Sequence, residues 1–141
     1  MGHVPTGEIP AASAGIDVPG REYRRAGARR PPLTKRQVGH LGEWIAAQFL
    51  ARNGFRIIER NVRIGRGEID ILAEHRGRRV AVEVKSAVLD HNGRADPIDA
   101  FDDAKRRQVW SLARRAGAWR VDVVAVGFRP DGIRVHWVPD V

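Results

Sequence analysis

GEIDILAEHRGRRVAVEVK, residues 67–85, decides how this chain folds. Apolar and polar residues alternate on both sides of His75-Arg76-Gly77-Arg78, which predicts two short strands folded back on each other. Successive side chains of a strand point to opposite faces, so Ile69, Ile71 and Ala73 are expected to share an apolar face with Val80, Val82 and Val84. The other face carries Glu68, Asp70 and Leu72 on one strand and Ala81, Glu83 and Lys85 on the next. A four-residue loop at 75–78 pairs Glu74 with Arg79 and sets Asp70 opposite Glu83. Directly opposed side chains lie about 5 Å apart at Cβ. Two carboxylates then stand side by side, with a lysine two residues on.

The flanking segments read as support for this hairpin. Thr34 and Gln37 form a capping-box pattern, and Asn53-Gly54 marks the end of the helix they open. Val38, Leu41, Ile45, Ala46, Phe49 and Leu50 fill about half its circumference at 100° per residue. Glu43 falls at the edge of that arc, which on its own predicts a boundary glutamate facing water, with Gly39 and Gly42 leaving the backbone open to close approach. Phe55–Val62 reads as a first strand, and Ile64-Gly65-Arg66-Gly67 turns it into the hairpin. After Lys85 a polar loop is expected over residues 86–95. A short turn at Asp96-Pro97 precedes a second helix from about Asp102 to Ala116, stopped by Gly117. Its stripe of Phe101, Val109, Leu112 and Ala116 is interrupted by Lys105, which either snorkels to the surface or reaches a phosphate or the carboxylates. Residues 119–127 and 133–138 complete the set as strands, with Asp122 breaking an apolar run and so either paired with a cation or capping the sheet. The predicted order is α-β-β-β-α-β-β, an α/β fold with a mixed central sheet flanked by helices.

Composition bounds the function. A chain of 141 residues suits one domain with a real core, here residues 34–141, preceded by a disordered basic tail over 1–33. The absence of cysteine rules out disulfides and thiolate metal sites. His3, His40, His75, His91 and His136 show no paired spacing for zinc. No phosphate-binding glycine loop and no serine-hydrolase elbow is present. Apolar runs fall short of the roughly 20 residues that span a bilayer, and nothing at the N-terminus resembles a signal peptide, so a cytoplasmic protein is expected. The net charge of +8 invites a polyanion, but residues 1–38 hold seven of the 25 cations and only three of the 17 acids, which leaves the folded part mildly basic. Lys35, Lys85 and Lys105 are the three lysines in an arginine-rich chain, which makes a lysine beside two acids look selected for its compact ammonium.

Adjacent carboxylates repel, and a divalent cation relieves the repulsion. Mg²⁺ takes oxygen ligands and accepts one or two carboxylates while keeping water and phosphate oxygens. With Lys85 beside it, the set contains the parts for phosphodiester hydrolysis. Charge alternation on a solvated sheet face would give the same letters without any chemistry.

The combination GEW in the first helix, NGFRIIERNVR, GEIDILA, VAVEVK, K-x-x-Q in the second helix and RVDVVAV, in that order over residues 37–138, resembles the YraN-like (UPF0102-type) family. That family is similar to the PD-(D/E)XK nuclease superfamily and, in layout, to archaeal Holliday-junction resolvases. The resemblance implies a restriction-endonuclease-like fold with Asp70, Glu83 and Lys85 as catalytic residues. It implies Asp70, Glu83 and Glu43 as ligands of Mg²⁺ or Mn²⁺, and Lys105 and Gln108 as positions on the second helix that touch nucleic acid. Ile69 stands where the superfamily name places proline, and Ser86-Ala87 follows the lysine where relatives carry a basic or polar residue.

Two functions are therefore expected to compete. The first is a Mg²⁺-dependent endonuclease acting on DNA, including branched or damaged structures, with room for a homodimer as in the resolvases. The second is a non-catalytic nucleic-acid-binding or scaffold module on the same fold, motivated by the modest core charge, Ser86-Ala87 and the basic tail. Metal-dependent cleavage lost on changing Asp70 separates them.

Overall fold

Thr34 fixes the start of helix α1 (Lys35–Arg52): its hydroxyl accepts from the Gln37 N–H at 3.2 Å, while the Gln37 side chain accepts from the Thr34 N–H at 2.9 Å. Asn53 caps the other end, and Gly54 follows with φ of 86°, the left-handed conformation that ends helices and favours glycine. A computed structural model of the chain describes residues 6–10, 32–89, 92 and 96–141. After α1 come β2 (Phe55–Ile64), β3 (Gly67–His75), β4 (Arg78–Val88), a 3₁₀ turn (Pro97–Ala100), α2 (Asp103–Arg115), β5 (Arg120–Arg129) and β6 (Gly132–Val138); a short β1 (Thr6–Pro10) precedes them. This is the expected α/β order with one strand added.

The strands form one six-stranded sheet in the order β1-β6-β5-β4-β3-β2. All neighbours are antiparallel except β4 and β5, which run parallel and are joined by the crossover through α2. The β3–β4 turn is tighter than the predicted loop: His75 and Arg78 already pair, and Arg76 and Gly77 have φ of 52° and 75°, as a two-residue type I′ turn requires. The register is the expected one, with Glu74 opposite Arg79.

Helices cover both faces. On one face α1 packs Ile45, Ala46, Phe49 and Leu50 against Ile71, Ala73, Val80, Val82, Val124 and Val126. On the other, Val109, Leu112 and Ala113 of α2 pack against Ile69, Ala81 and Val121. Gly42 carries the α1 contact, because a Cβ there would lie 1.7 Å from Ser86 Oγ on β4; Gly39, by contrast, looks onto open space.

Three expectations need correction. Ile69 sits with the α2 cluster rather than beside Ile71 and Ala73, because the pleat is broken between them. Asn61, which faces Asp70 in the register of β2 and β3, is left-handed at φ of 54°, and another irregularity falls between Ile57 and Glu59. Residues 86–88 continue β4 instead of starting a loop, since pairing with β5 runs on through Val88 and Phe128. Most of the Asp90–Gly93 loop lies outside the described residues. Within the 1–33 tail, Thr6–Pro10 forms an edge strand on β6, a backbone pairing that needs no apolar periodicity; the remainder of 1–31 lies outside the described residues. No helix among the described residues is long and apolar enough to cross a membrane.

Asp122, left open between two roles by the sequence, pairs with a cation. Fully buried, it accepts from Arg120 at 2.7 and 2.9 Å, from Trp137 Nε1 at 3.0 Å and from the Asp140 N–H at 3.1 Å. The His75 ring stacks on Phe55 at 4.1 Å and lies 3.3 Å from Arg120, extending the network across the sheet. Removing one partner of a buried pair leaves the other charge uncompensated. Asp122→Ala is therefore expected to cost about 3–5 kcal/mol in urea unfolding. Gly42→Ala, which overpacks α1 on Ser86, is expected to cost about 1–3 kcal/mol in the same measurement.

Candidate active site

The β3–β4 ladder stops at the rung Ile71–Val82, while β4 stays paired to β5 through Val88. Beyond that rung the two strands no longer exchange main-chain hydrogen bonds as a ladder, and the Val84 N–H instead donates to Asp70 Oδ2 at 2.8 Å. Asp70 is thereby fixed by its side chain at the point where the strands part.

Glu83 comes next to it from β4. It is almost fully buried, at 3% exposure. Lys85, two residues on and on the same face, brings Nζ to 3.2 Å from Glu83 Oε1. Lys105, from the first turn of α2, brings its Nζ to 3.0 Å from the same oxygen. The choice left open for Lys105 is thus settled: it reaches the carboxylates. The N-cap of α2 holds it there, since Asp102 accepts from the Lys105 N–H at 2.8 Å. Gln108 is exposed one turn further along and, among the described residues, takes no part in these ion pairs.

Glu43 does not face water as its place on the helical wheel suggested. Its carboxylate lies 3.9 Å from Arg60, and the Asn61 amide, oriented to satisfy its neighbours, donates to it at 3.1 Å and to Glu68 at 3.3 Å. Asn61 is a residue the sequence reading missed. The available signal was an asparagine inside an otherwise strand-like run, a residue type that tolerates left-handed backbone.

Burial, first, and then the charge of Glu83 push the Asp70 carboxyl up from 3.8 to about 7; Glu43 adds to the rise, and the Val84 N–H and Lys105 oppose it. Among the described residues, no three His, Cys, Asp or Glu side chains converge closely enough to hold a metal ion. The three-carboxylate set of Asp70, Glu83 and Glu43 is therefore not gathered as a cluster, although Glu43 is near enough to act on Asp70 through its charge. Asp70 and Glu83 offer a pair of hard oxygen donors, a set that Mg²⁺ accepts when water and phosphate complete its shell.

The fold and these side chains define a class: an α/β protein with an acid–acid–lysine cluster, centred on a buried glutamate, where two strands of a mixed sheet part. The chain belongs to the family described as "Uncharacterised protein family UPF0102", which matches residues 42–126. It is 44% identical over 105 residues to a UPF0102 protein of Symbiobacterium thermophilum, covering 69% of this chain and 87% of that one. A UPF0102 protein of Roseiflexus castenholzii is 37% identical over 114 residues, covering 73% of this chain and 90% of the relative. Among solved structures, the chain is similar to a repair endonuclease from Pyrococcus abyssi, with TM-score 0.38, 20% identity and coverage of 74% of this chain. It spans only 42% of that neighbour's length. It is also similar to Pyrococcus furiosus SfsA in complex with Ca²⁺, with TM-score 0.33, 19% identity and coverage of 75% of this chain and 63% of the other.

The raised Asp70 carboxyl makes stability depend on pH. An unfolded chain releases this proton near 3.8, whereas the folded one keeps it to about 7. Between those values the folded state binds more protons, so its advantage is full below 3.8 and is lost as pH rises through 7. Asp70→Asn removes the charge and with it the loss. In chelator, the variant is expected to melt higher than wild type above about pH 8, by an amount on the order of a few kcal/mol at most. The difference should vanish near about pH 4; a constant offset across the range would contradict this account.

Proposed function

We propose that the chain is a divalent-metal-dependent nuclease that hydrolyses phosphodiester bonds, with DNA as its substrate. The observation that carries this reading is the burial of Glu83 beside an Asp70 whose carboxyl is pushed up to about 7. Alternating charges on a solvated strand would be exposed and would perturb each other little. Here a buried acid and a half-buried one are held together at a cost to the fold, an arrangement concentrated where chemistry uses it.

Asp70 and Glu83 are the residues that would hold Mg²⁺ or Mn²⁺, with Glu43 acting on Asp70 through its charge. Bound there, the ion would supply Lewis acidity toward a phosphoryl oxygen and a water made acidic enough to attack. The protein's own side chains supply the rest. Lys105 bonds Glu83 Oε1 and holds that carboxylate in place from α2. Lys85 carries its ammonium on the same strand face, where it can donate a hydrogen bond to a phosphate oxygen as charge builds there. The Val84 N–H keeps Asp70 turned toward the gap between the strands.

One observation favours the second reading, a nucleic-acid-binding module without catalysis: Glu83 already has two ammonium groups on one oxygen, so the cluster is partly neutralised by the chain itself. Cleavage and metal binding separate the two. With labelled linear and branched DNA in Mg²⁺ or Mn²⁺, the nuclease reading expects cutting that chelator abolishes. Asp70→Asn and Lys85→Ala should each lower it by about 10²-fold or more. Calorimetric titration should show Mg²⁺ binding to wild type and not to Asp70→Asn. Equal cleavage by variant and wild type, or none by either with both metals, supports the second reading instead.

A further inference from the structure

The outward face of α2 is not used by the site, yet it gathers several cations. Val109, Leu112 and Ala113 turn one side of the helix into the core. The opposite side presents Arg106, Arg107, Trp110, Ser111, Arg114 and Arg115, which together line a shallow depression. An arginine-rich chain scatters guanidinium groups everywhere, so clustering is the informative property. Helix α1 has 18 residues and three cations, Lys35, Arg36 and Arg52, set at its two ends. Helix α2 has 13 residues and carries five cations, Lys105 among them.

Partners for these groups are few. Arg106 pairs with Asp103 at 3.0 Å. Arg107, Arg114 and Arg115 meet no carboxylate within ion-pair distance among the described residues. Two of them are nevertheless held. The Arg114 guanidinium lies 5.8 Å from the centre of the Trp110 ring, and that ring is itself tethered by a 2.8 Å hydrogen bond from Nε1 to the Val141 carbonyl. Arg115 lies against the β2–β3 turn, its Nη1 within 3.1 Å of where a Cβ on Gly65 would stand, next to the exposed Arg66. Cations kept in place without anions of their own are suited to an external anion, because less side-chain freedom is lost on binding.

We infer that this face of α2 docks the phosphodiester backbone of nucleic acid flanking the site, with Arg107, Arg114 and Arg115 as phosphate contacts. Lys105 stands at one end of the helix, on Glu83. Arg115 is ten residues further, about 15 Å along the axis at 1.5 Å per residue. A DNA strand rises about 3.4 Å per nucleotide, so the helix is as long as roughly four steps of a strand, with Lys105 on its sheet-facing side and the arginines on its outward side. Arg107 and Arg114 are two turns apart and fall almost in line. Guanidinium groups grip phosphate oxygens in pairs, which a lysine cannot do. An acidic protein would also be attracted by charge; a phosphodiester chain is favoured because the same helix sets Lys105 on Glu83, and this choice rests on the nucleic-acid reading of that site. The inference concerns binding and does not depend on whether the site cuts.

The test is fluorescence anisotropy of a labelled duplex of about 20 base pairs with the whole chain in chelator, repeated over a range of salt. Each phosphate contact contributes about 0.9 to the slope of log K against log salt. The variant Arg107→Ala/Arg114→Ala/Arg115→Ala should therefore flatten that slope by about 2 to 3 and weaken binding at least tenfold. A control with the same charge loss, Lys35→Ala/Arg36→Ala/Arg52→Ala on α1, should keep most of the affinity. Equal losses in the two would mean that net charge alone is being read, and would overturn the assignment. Competition by polyglutamate as effective as that by unlabelled DNA, at equal charge, would overturn it in favour of an acidic protein partner. Should the triple variant melt early, Arg107→Glu alone replaces it, and unchanged binding by that variant would likewise refute the role. Since metal and Asp70 take no part, a failure of cleavage with binding intact falls on the nuclease reading alone, and a loss of this face without loss of cleavage falls on this inference alone.

Discussion

Strand β4 cannot stay paired with both neighbours along its whole length, and the site exists because of that. Its parallel ladder with β5 runs through Val88, whereas its antiparallel ladder with β3 ends at Val82. Where the second ladder fails, main-chain groups need other partners, since unpaired ones are costly once buried. The Asp70 carboxylate takes the Val84 N–H, and this bond ties the first acid to the strand that carries the second acid and the lysine. Sheet twist alone would not gather these groups. Asn61, left-handed across from Asp70, marks the place where Ile69 passes into the α2 layer.

Two aspartates on the same sheet show how environment assigns roles. Asp122 is met by donors on both oxygens, from Arg120, Trp137 and the Asp140 main chain, and it joins strands to chain end. Asp70 is met by one such donor but also faces the charges of Glu83 and Glu43, and its proton is held accordingly. The first arrangement is complete in itself. The second favours a proton or a cation, and that incompleteness is a chemical property of the folded chain rather than of the residue type.

Much of this was legible in the sequence because it rests on periodicity and on end signals. The capping box at Thr34, the stop at Asn53-Gly54, the hairpin register and the position of Lys105 on an apolar stripe all follow from spacing, and each is local. What spacing could not show was the left-handed Asn61, because a strand pattern says nothing of a single φ, and with it the change of face at Ile69. Nor could it show Glu43 turned inward: the helical wheel puts it on a boundary, and only the place where Gly42 seats α1 on Ser86 decides which side of that boundary it takes. The strand at Thr6–Pro10 was invisible for a different reason, since edge pairing uses main-chain groups that every residue possesses.

The last residue described deserves a mechanical reading. Val141 donates its N–H to the Val121 carbonyl at 2.9 Å and accepts from Trp110 through its own carbonyl, so one residue straps the outside of α2 to the central strand β5. A strap of this kind sets the height of the helix over the sheet, and Lys105 rides on the same helix. Slackening it at Trp110 would let α2 tilt, and the Lys105 ammonium, about one and a half turns away, would lift from Glu83. The positions of the cluster's charges are in this sense adjusted from the chain's far end, by a residue with no charge on its side chain.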